Sequence, residues 1–314
     1  MSLRTPTRPA APVAPPLVVG LGESLFDLLP GGPVLGGAPM NVAVHVQQLF
    51  DLLDIHGGRA AVATRVGRDE LGDRFRAELG ERGLDVSAVQ VDDARPTGTA
   101  VIELVAGEPR FTITAGSAWD RVEFDAAWQA LAPRAHAVCF GTLGRRTEPA
   151  RRAIEAFLAA APQAVRVFDV NLRAPFFSAD TIRSGCRLAT ILKLNEGELP
   201  LVAEMLGLPA APAREQLDAL RHGERLEGVV LTRGLAGAWL ATSSGITAVE
   251  ARGFPRRPDA DAVGAGDAFS AALIVGRLLG WPAAKTLETA ALVSGFVASQ
   301  PGATPRLPAD LPAA

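Results

Sequence analysis

The chain reads as an α/β protein, with a doubly covered, mostly parallel sheet and a small second sheet beside it. Three observations predict this. From about residue 120 onward, short apolar runs alternate with stretches of helical period, the pattern of a parallel sheet covered on both faces. Two alternating runs, 99–105 and 110–114, flank residues 106–109 as a hairpin inserted among these units. Polar residues gather where the apolar runs end, and that is where ligands bind in such folds.

The elements follow in order. Residues 1–16 are rich in Pro, Ala, Thr and Arg and contain no apolar stretch, so a disordered tail is expected before a domain spanning 17–314. Residues 17–29 (LVVGLGESLFDLL) read as one strand with a polar tip and 31–37 as a glycine-rich loop. Residues 39–53 read as a helix with Val42, Val46, Leu49 and Leu53 on one face. A strand at 60–67 leads to a helix at 69–82 with Leu71, Phe75 and Leu79 inward. After the hairpin come helix 123–132, strand 137–141, helix 148–160 and strand 165–169. Strand 190–194, helix 196–206, helix 213–222 and strand 228–232 continue the alternation. Residues 238–241 pair with 247–249, and helices 267–279 and 283–299 follow.

Composition narrows the function. At 314 residues, 48% hydrophobic, 21% charged and with a net charge of −3, the chain suits a soluble globular protein and argues against a nucleic-acid surface. Lys193 and Lys285 are the only lysines, and neither lies in Gly-Lys-Ser/Thr, which excludes a P-loop nucleotide site. Cys139 and Cys186 read as reduced, buried thiols, and the four histidines lack metal-ligand spacing. No run of about 18 uncharged apolar residues occurs, so no membrane partner and a cytoplasmic location are expected.

The most informative stretch is DADAVGAGDAFSAALIVGRLLG, from Asp259 to Gly280. Gly264, Ala265, Gly266 and Asp267 stand between a polar loop and an apolar helix. A glycine turn entering a helix aims unpaired N–H groups and the positive end of the helix dipole at one point, which suits a phosphate. An Asp in that first turn faces the same point. A hydroxyl attacking a phosphate needs both anion stabilisation and a base. The same Asp also fits a plain helix cap.

Other polar groups sit at strand ends, each with a structural alternative. Asp27 and Asn41 suit a turn or an N-cap. Asp169, Asn171 and Arg173 suit a surface salt-bridge cluster. Asn195 and Glu198 suit a capping box, and Gly234 a turn. Their joint occurrence in this order is what those separate explanations leave over.

The order Gly-Gly-x-x-x-Asn (36–41), Asp-x-Asn-x-Arg (169–173), Asn-x-x-Glu (195–198), Thr-x-Gly (232–234) and Gly-Ala-Gly-Asp (264–267) resembles the ribokinase-like, or PfkB, carbohydrate kinases. The resemblance runs from Leu17 to about Leu307. Gly-Glu-Ser-Leu-Phe-Asp (22–27), Gly-Gly-Ala-Pro-Met-Asn (36–41) and Asn-Leu-Arg (171–173) are most similar to the fructokinase branch. The resemblance implies a ribokinase-like fold whose small β-sheet is a lid, from segments at about 28–36 and 97–116, and a homodimer through the lid sheets. It implies ATP and Mg2+ as cofactors. Asp267 would be the base, with Gly264, Ala265 and Gly266 as the anion hole. Asp27, Gly36, Gly37, Asn41, Asp169 and Arg173 would hold the sugar. Asn195, Glu198, Thr232, Gly234, Gly237 and Ser294 would line the nucleotide site, with Glu198 acting indirectly on Mg2+.

The match has departures. Ala262 stands where the family has Thr, and Asp261 with 297–302 matches the monovalent-cation loop only in part, so K+ stays open. Arg110 and Arg145 could reach a phosphate or an acidic sugar. The expected activity is a fructokinase. A 2-keto-3-deoxygluconate kinase, with Arg173 as carboxylate partner, and a non-catalytic sugar sensor on the same fold are the rivals. A dinucleotide fingerprint fails because Leu25 stands where its third glycine would be.

Overall fold

The computed structural model describes residues 14–105 and 108–311, with the backbone alone over 102–111. The chain begins with β1 (Leu17–Leu21), β2 (Leu25–Leu29), β3 (Gly32–Gly36) and α1 (Ala38–Leu52). It continues through β4 (Arg59–Gly67), α2 (Glu70–Glu81), β5 (Val89–Asp92), β6 (Gly98–Val105) and β7 (Glu108–Ile113). Next come α3 (Ala126–Leu131), β8 (Ala137–Phe140), α4 (Glu148–Ala159), β9 (Val165–Asp169), α5 (Ala179–Leu188), β10 (Ile191–Asn195), α6 (Glu198–Met205), α7 (Ala213–Gly223) and β11 (Gly228–Thr232). The last elements are β12 (Ala238–Thr242), β13 (Gly245–Val249), α8 (Ala265–Leu278) and α9 (Ala283–Val297).

Nine strands form the main sheet in the order β13-β12-β11-β10-β9-β8-β1-β4-β5. It is parallel except for β12, which runs antiparallel to both β11 and β13. Side chains alternate between its faces, as the strand period of two requires. Val18 of β1 joins the core beneath α1, α2, α8 and α9, whereas Leu17, Val19 and Leu21 join the core beneath α3 to α7. Residues 267–276 of α8 are all buried, which explains a helix that is apolar nearly all round. The parallel strands all end at one edge, so the polar residues at their C-terminal ends meet there.

The second sheet has the order β3-β2-β6-β7. Here the structure departs from the sequence reading. Residues 17–29 are two strands in different sheets, because Gly22, at φ 144°, turns the chain out of the main sheet. Asp27 therefore lies on the small sheet and does not end a main-sheet strand. The stretch 31–37 is mostly β3, paired antiparallel with β2; its glycines masked a strand that its pairing stabilises. The tight edge strand β5 and helix α5, which begins at the N-cap Ser178, were not anticipated from the sequence. Pro16, placed in the expected tail, is already buried in the domain, its carbonyl accepting from the Arg59 N–H; residues 1–13 of that tail lie outside the described residues. So do Ala106, Gly107 and the side chain of Arg110.

Among the described residues, no helix is long and apolar enough to cross a membrane, and no cluster of His, Cys, Asp and Glu could hold a metal. Both cysteines are free and buried.

The approach of α1 to β1 depends on Gly20. A Cβ there would lie 2.0 Å from the Pro39 carbonyl oxygen, whereas one on Gly31 would meet nothing within 4 Å. Gly20→Ala should therefore lower stability by about 1–3 kcal/mol or more, the usual range for overpacking. Gly31→Ala should leave it unchanged or slightly raised. Urea unfolding of the two variants checks this.

Candidate functional site

A cleft of ≈ 1150 Å³ runs along the C-terminal edge of the main sheet, between it and the small sheet. Its centre is the start of α8. Gly264 caps this helix at φ 75°, and a Cβ there would sit 2.2 Å from the Ala303 carbonyl oxygen. Only glycine supports both the left-handed turn and that contact. Past the turn, the N–H groups of Gly266 and Asp267 have no backbone partner among the described residues, as expected in a helical first turn. Gly264, Ala265 and Gly266 all line the cleft.

Asp267 follows directly and is 8% exposed. Burial, reinforced by the negative charge of Asp169, raises its pKa to about 6; Asn41, Lys193 and Arg173 oppose the rise. Asn41 reaches it from the first turn of α1, its Nδ2 donating to Asp267 Oδ2 at 2.8 Å. The Asn41 Oδ1 is buried without a partner among the described residues. Gly37, at φ 115° before α1, lets the chain enter the helix there, because a Cβ would lie 2.9 Å from the Glu23 carbonyl oxygen.

Asp169 lines the same cleft, but its carboxylate is already engaged. Lys193 Nζ donates to its two oxygens at 3.1 and 2.8 Å, and Ser270 Oγ donates at 2.8 Å. Lys193 and Asp169 are partners in the β9–β10 register, so both face α8. Burial alone would lower the lysine pKa, yet the charge and hydrogen bonds of Asp169 leave it raised. Its Nζ would lie 3.0 Å from a Cβ on Gly266, so a fixed positive charge underlies the glycine turn. Sequence reasoning used Lys193 only to exclude a P-loop. The available signal was a lysine inside the apolar run Ile-Leu-Lys-Leu.

Asn195 and Glu198 form a reciprocal cap. Asn195 Oδ1 accepts from the Glu198 N–H at 3.0 Å, and Glu198 Oε2 accepts from the Asn195 N–H at 2.9 Å. The other Glu198 oxygen accepts from the Leu172 N–H at 2.8 Å. Glu198 thus ties the ends of β9 and β10 together while lining the cleft, and the capping alternative is the one the hydrogen bonds show.

At the small-sheet end the cleft is lined by Glu23, Asp27, Gly36 and Arg173. Burial raises the Asp27 pKa and the Arg173 charge opposes it. The Arg173 side chain is exposed and donates to the Leu172 carbonyl at 3.1 Å. Glu23 is 3% exposed; its only signal in the sequence is its place in the run Gly-Glu-Ser-Leu-Phe-Asp. At the opposite end lie Thr232, Gly234, Gly237 and Ser294. Gly237, at φ 88°, brings the chain so close to β13 that a Cβ would lie 1.9 Å from the Val249 carbonyl oxygen. Asp261 sits beside the cleft as a tie between two loops, accepting from the N–H groups of Val263 and Gly302 at 3.0 and 3.2 Å.

Arg145 corrects the sequence reading. Its side chain is fully buried and pairs with Glu155 at 3.0 Å, with further bonds to the Thr181 carbonyl and Ser184 Oγ. It braces α4 and α5 from within and does not line the cleft.

A family model described as "pfkB family carbohydrate kinase" matches residues 33–310. A fructokinase of Klebsiella pneumoniae is 32% identical over 273 residues, covering 82% of this chain and 82% of that protein. Among solved structures, a fructokinase from Xylella fastidiosa with bound ATP superposes with a TM-score of 0.78 at 22% identity, covering 91% of this chain and 93% of that one. An E. coli chain provisionally described as ribokinase II, in complex with ATP and Mg2+, gives a TM-score of 0.77 at 21% identity over 92% and 94% of the two chains. With this matched span and this ordered set of residues at one strand edge, the chain belongs to the pfkB family of carbohydrate kinases.

Proposed function

We propose that this carbohydrate kinase is a fructokinase, transferring the γ-phosphoryl group of ATP to a hydroxyl of D-fructose with Asp267 as the base. The observation that carries the chemistry is the placement of one buried carboxylate in the first turn of α8, beside unpaired N–H groups and hydrogen-bonded to Asn41. A pKa raised to about 6 makes Asp267 a stronger proton acceptor than an ordinary Asp while leaving it ionised at neutral pH. It takes the hydroxyl proton late, once the oxygen has begun to bond to phosphorus. Asn41 fixes the carboxylate rotamer, and the Arg173 and Asp27 side chains orient the sugar.

The cleft fits a nucleotide triphosphate. The Gly264–Gly266 turn offers backbone donors with the Lys193 charge beneath them, and Thr232, Gly234, Gly237 and Ser294 line the far end. ATP with Mg2+ supplies the phosphoryl group and offsets its charge. The carboxylates of Asp169 and Glu198 are already engaged by the protein, so Mg2+ would reach Glu198 through water. The small sheet acts as the lid, excluding water that would compete with the sugar as acceptor.

The acceptor assignment draws on the 32%-identical fructokinase and on the charge of the sugar end. Glu23, Asp27 and Asp267 face a single Arg173 there, a balance that favours a neutral sugar over a sugar acid. Arg173 is the group an acidic acceptor would use, which keeps 2-keto-3-deoxygluconate as the comparison. ADP release with Mg-ATP should be highest with D-fructose when it is compared with 2-keto-3-deoxygluconate, D-ribose, adenosine and no sugar. Turnover with the keto-acid alone would reassign the acceptor and keep the chemistry. Silence on every sugar with ATP still bound would favour a sensor.

Replacing the base tests the mechanism. Asp267→Asn should reduce kcat by about 10²–10⁴-fold, the range for a lost general base, while calorimetry shows the sugar still bound. Because the raised pKa puts the base form above about 6, kcat/KM should be flat at higher pH and fall about tenfold per pH unit below it. The Asn41 hydrogen bond lowers that pKa, so Asn41→Leu should move the acid limb of the profile upward. A limb that stays in place would remove Asn41 from this role.

A further inference from the structure

We infer that His45 is a positioning residue of the phosphate site, whose ring holds the Ala303 carbonyl against Gly264 and so fixes the turn that aims N–H groups at the transferred phosphoryl group. The inference rests on the reading of that turn as the anion hole and deepens it.

The placement comes from α1. His45 stands one turn beyond Asn41, and side chains four residues apart share a helix face. That face meets the start of α8 twice. Asn41 donates to Asp267 directly. His45 is fully buried, and its Nε2 lies 3.0 Å from the Ala303 carbonyl oxygen. A carbonyl only accepts, so the proton is on Nε2 and the ring is the donor. Among the described residues, no other group donates to this carbonyl. Burial pushes the His45 pKa down to about 4 against the pull of the Ala303 bond, with the Arg82 charge lowering it further. The ring is therefore neutral at neutral pH, and its role is that of a fixed donor.

Ala303 is the link to the chemistry. It lines the cleft together with Gly264, Ala265 and Gly266. A Cβ on Gly264 would lie 2.2 Å from the Ala303 oxygen and 2.7 Å from its Cα, so the two backbones touch with no side chain between them. Asp261 joins the same two segments from the other side, through the N–H groups of Val263 and Gly302. The glycine turn and residues 302–303 thus form one unit, and His45 anchors it to α1. Through Asn41 and His45, one helix sets both the base and the anion donors. A shift of Ala303 would carry Gly264 with it and misaim the N–H groups of Gly266 and Asp267, a loss that positioned donors feel strongly.

Gln48, three residues further along α1, provides the contrast. It donates to the Pro305 carbonyl at 3.3 Å and accepts from the Leu307 N–H at 2.8 Å. It holds the same C-terminal segment at residues that do not line the cleft.

The test compares His45→Gln, whose amide reaches the place of Nε2, with His45→Asn, whose amide stops at that of Nδ1. Gln48→Leu, Asp267→Asn and the unaltered protein are assayed beside them, by ADP release with Mg-ATP and the best acceptor sugar, and Tm is read for each. In His45→Asn kcat should fall about 10–100-fold, the scale of misaimed donors, and in His45→Gln it should stay within about threefold. The sugar KM should stay within about twofold in both, because Asp27, Asn41 and Arg173 are untouched. The acid limb near pH 6 should stay in place, because the charges facing Asp267, from Asp169, Lys193, Arg173 and Glu23, are unchanged. Gln48→Leu should lower Tm and keep kcat within about twofold. If His45→Asn does not fold, His45→Leu removes the same donor and takes its place. Equal kcat in the two amide variants, an equal loss in Gln48→Leu, a loss carried by the sugar KM or a displaced acid limb would overturn the role. Turnover retained in Asp267→Asn would remove the base and leave the His45 comparison standing, since the turn acts on the phosphoryl group. No turnover with any acceptor would remove both.

Discussion

The structure is organised around one electrostatic constraint: an ionisable Asp267 must be kept in a buried place at the start of α8. An isolated buried charge is costly, and it survives only with compensation close by. Here the compensation is distributed. Asn41 donates to the carboxylate itself, Lys193 and Arg173 supply positive charge, and the helix start contributes the positive end of its dipole. Asp169 pushes the other way, but Lys193 and Ser270 hold it in turn. The result is a carboxylate whose proton affinity is raised without being neutralised. Such an intermediate setting is what a base working on a hydroxyl at neutral pH requires.

The fold exists to bring these groups together. Asn41 and Asp267 are 226 residues apart in sequence and meet because α1, which lies over β1, packs against α8, which lies over β8 and β9. That packing depends on Gly20 beneath Pro39, on Gly37 at the entry to α1 and on Gly264 at the entry to α8, three places where a Cβ would strike backbone. The parallel sheet then delivers Asp169, Asn195 and Thr232 to one edge from successive strands. Some of the contacts that hold the strand ends together also line the cleft. The Asn195–Glu198 cap closes α6 and ties two strand ends while lining the cleft.

Much of this was legible in the sequence for a definite reason. Alternation of apolar runs reports a covered parallel sheet, and β9, β11 and the two C-terminal helices emerged close to their observed bounds. Errors fell where local signals mix. Residues 17–29 run through a sheet change marked only by the short stretch Gly22-Glu23-Ser24, and the glycines of β3 look like a loop until their partner strand is known. The motif residues were recognised because each pairs a turn or cap with a polar side chain at a strand end, and all of them line the cleft or border it.

The sequence by itself determined the fold class, the family and the set of polar residues, because strand and helix periods and the order of short motifs are local properties. Partnership was decided by the tertiary structure alone. Asp169 as the mate of Lys193, Asn41 as the clamp on Asp267 and Arg145 as an internal brace cannot be read from any local run. Each depends on which groups share a low-dielectric space, and that is set by how distant segments pack.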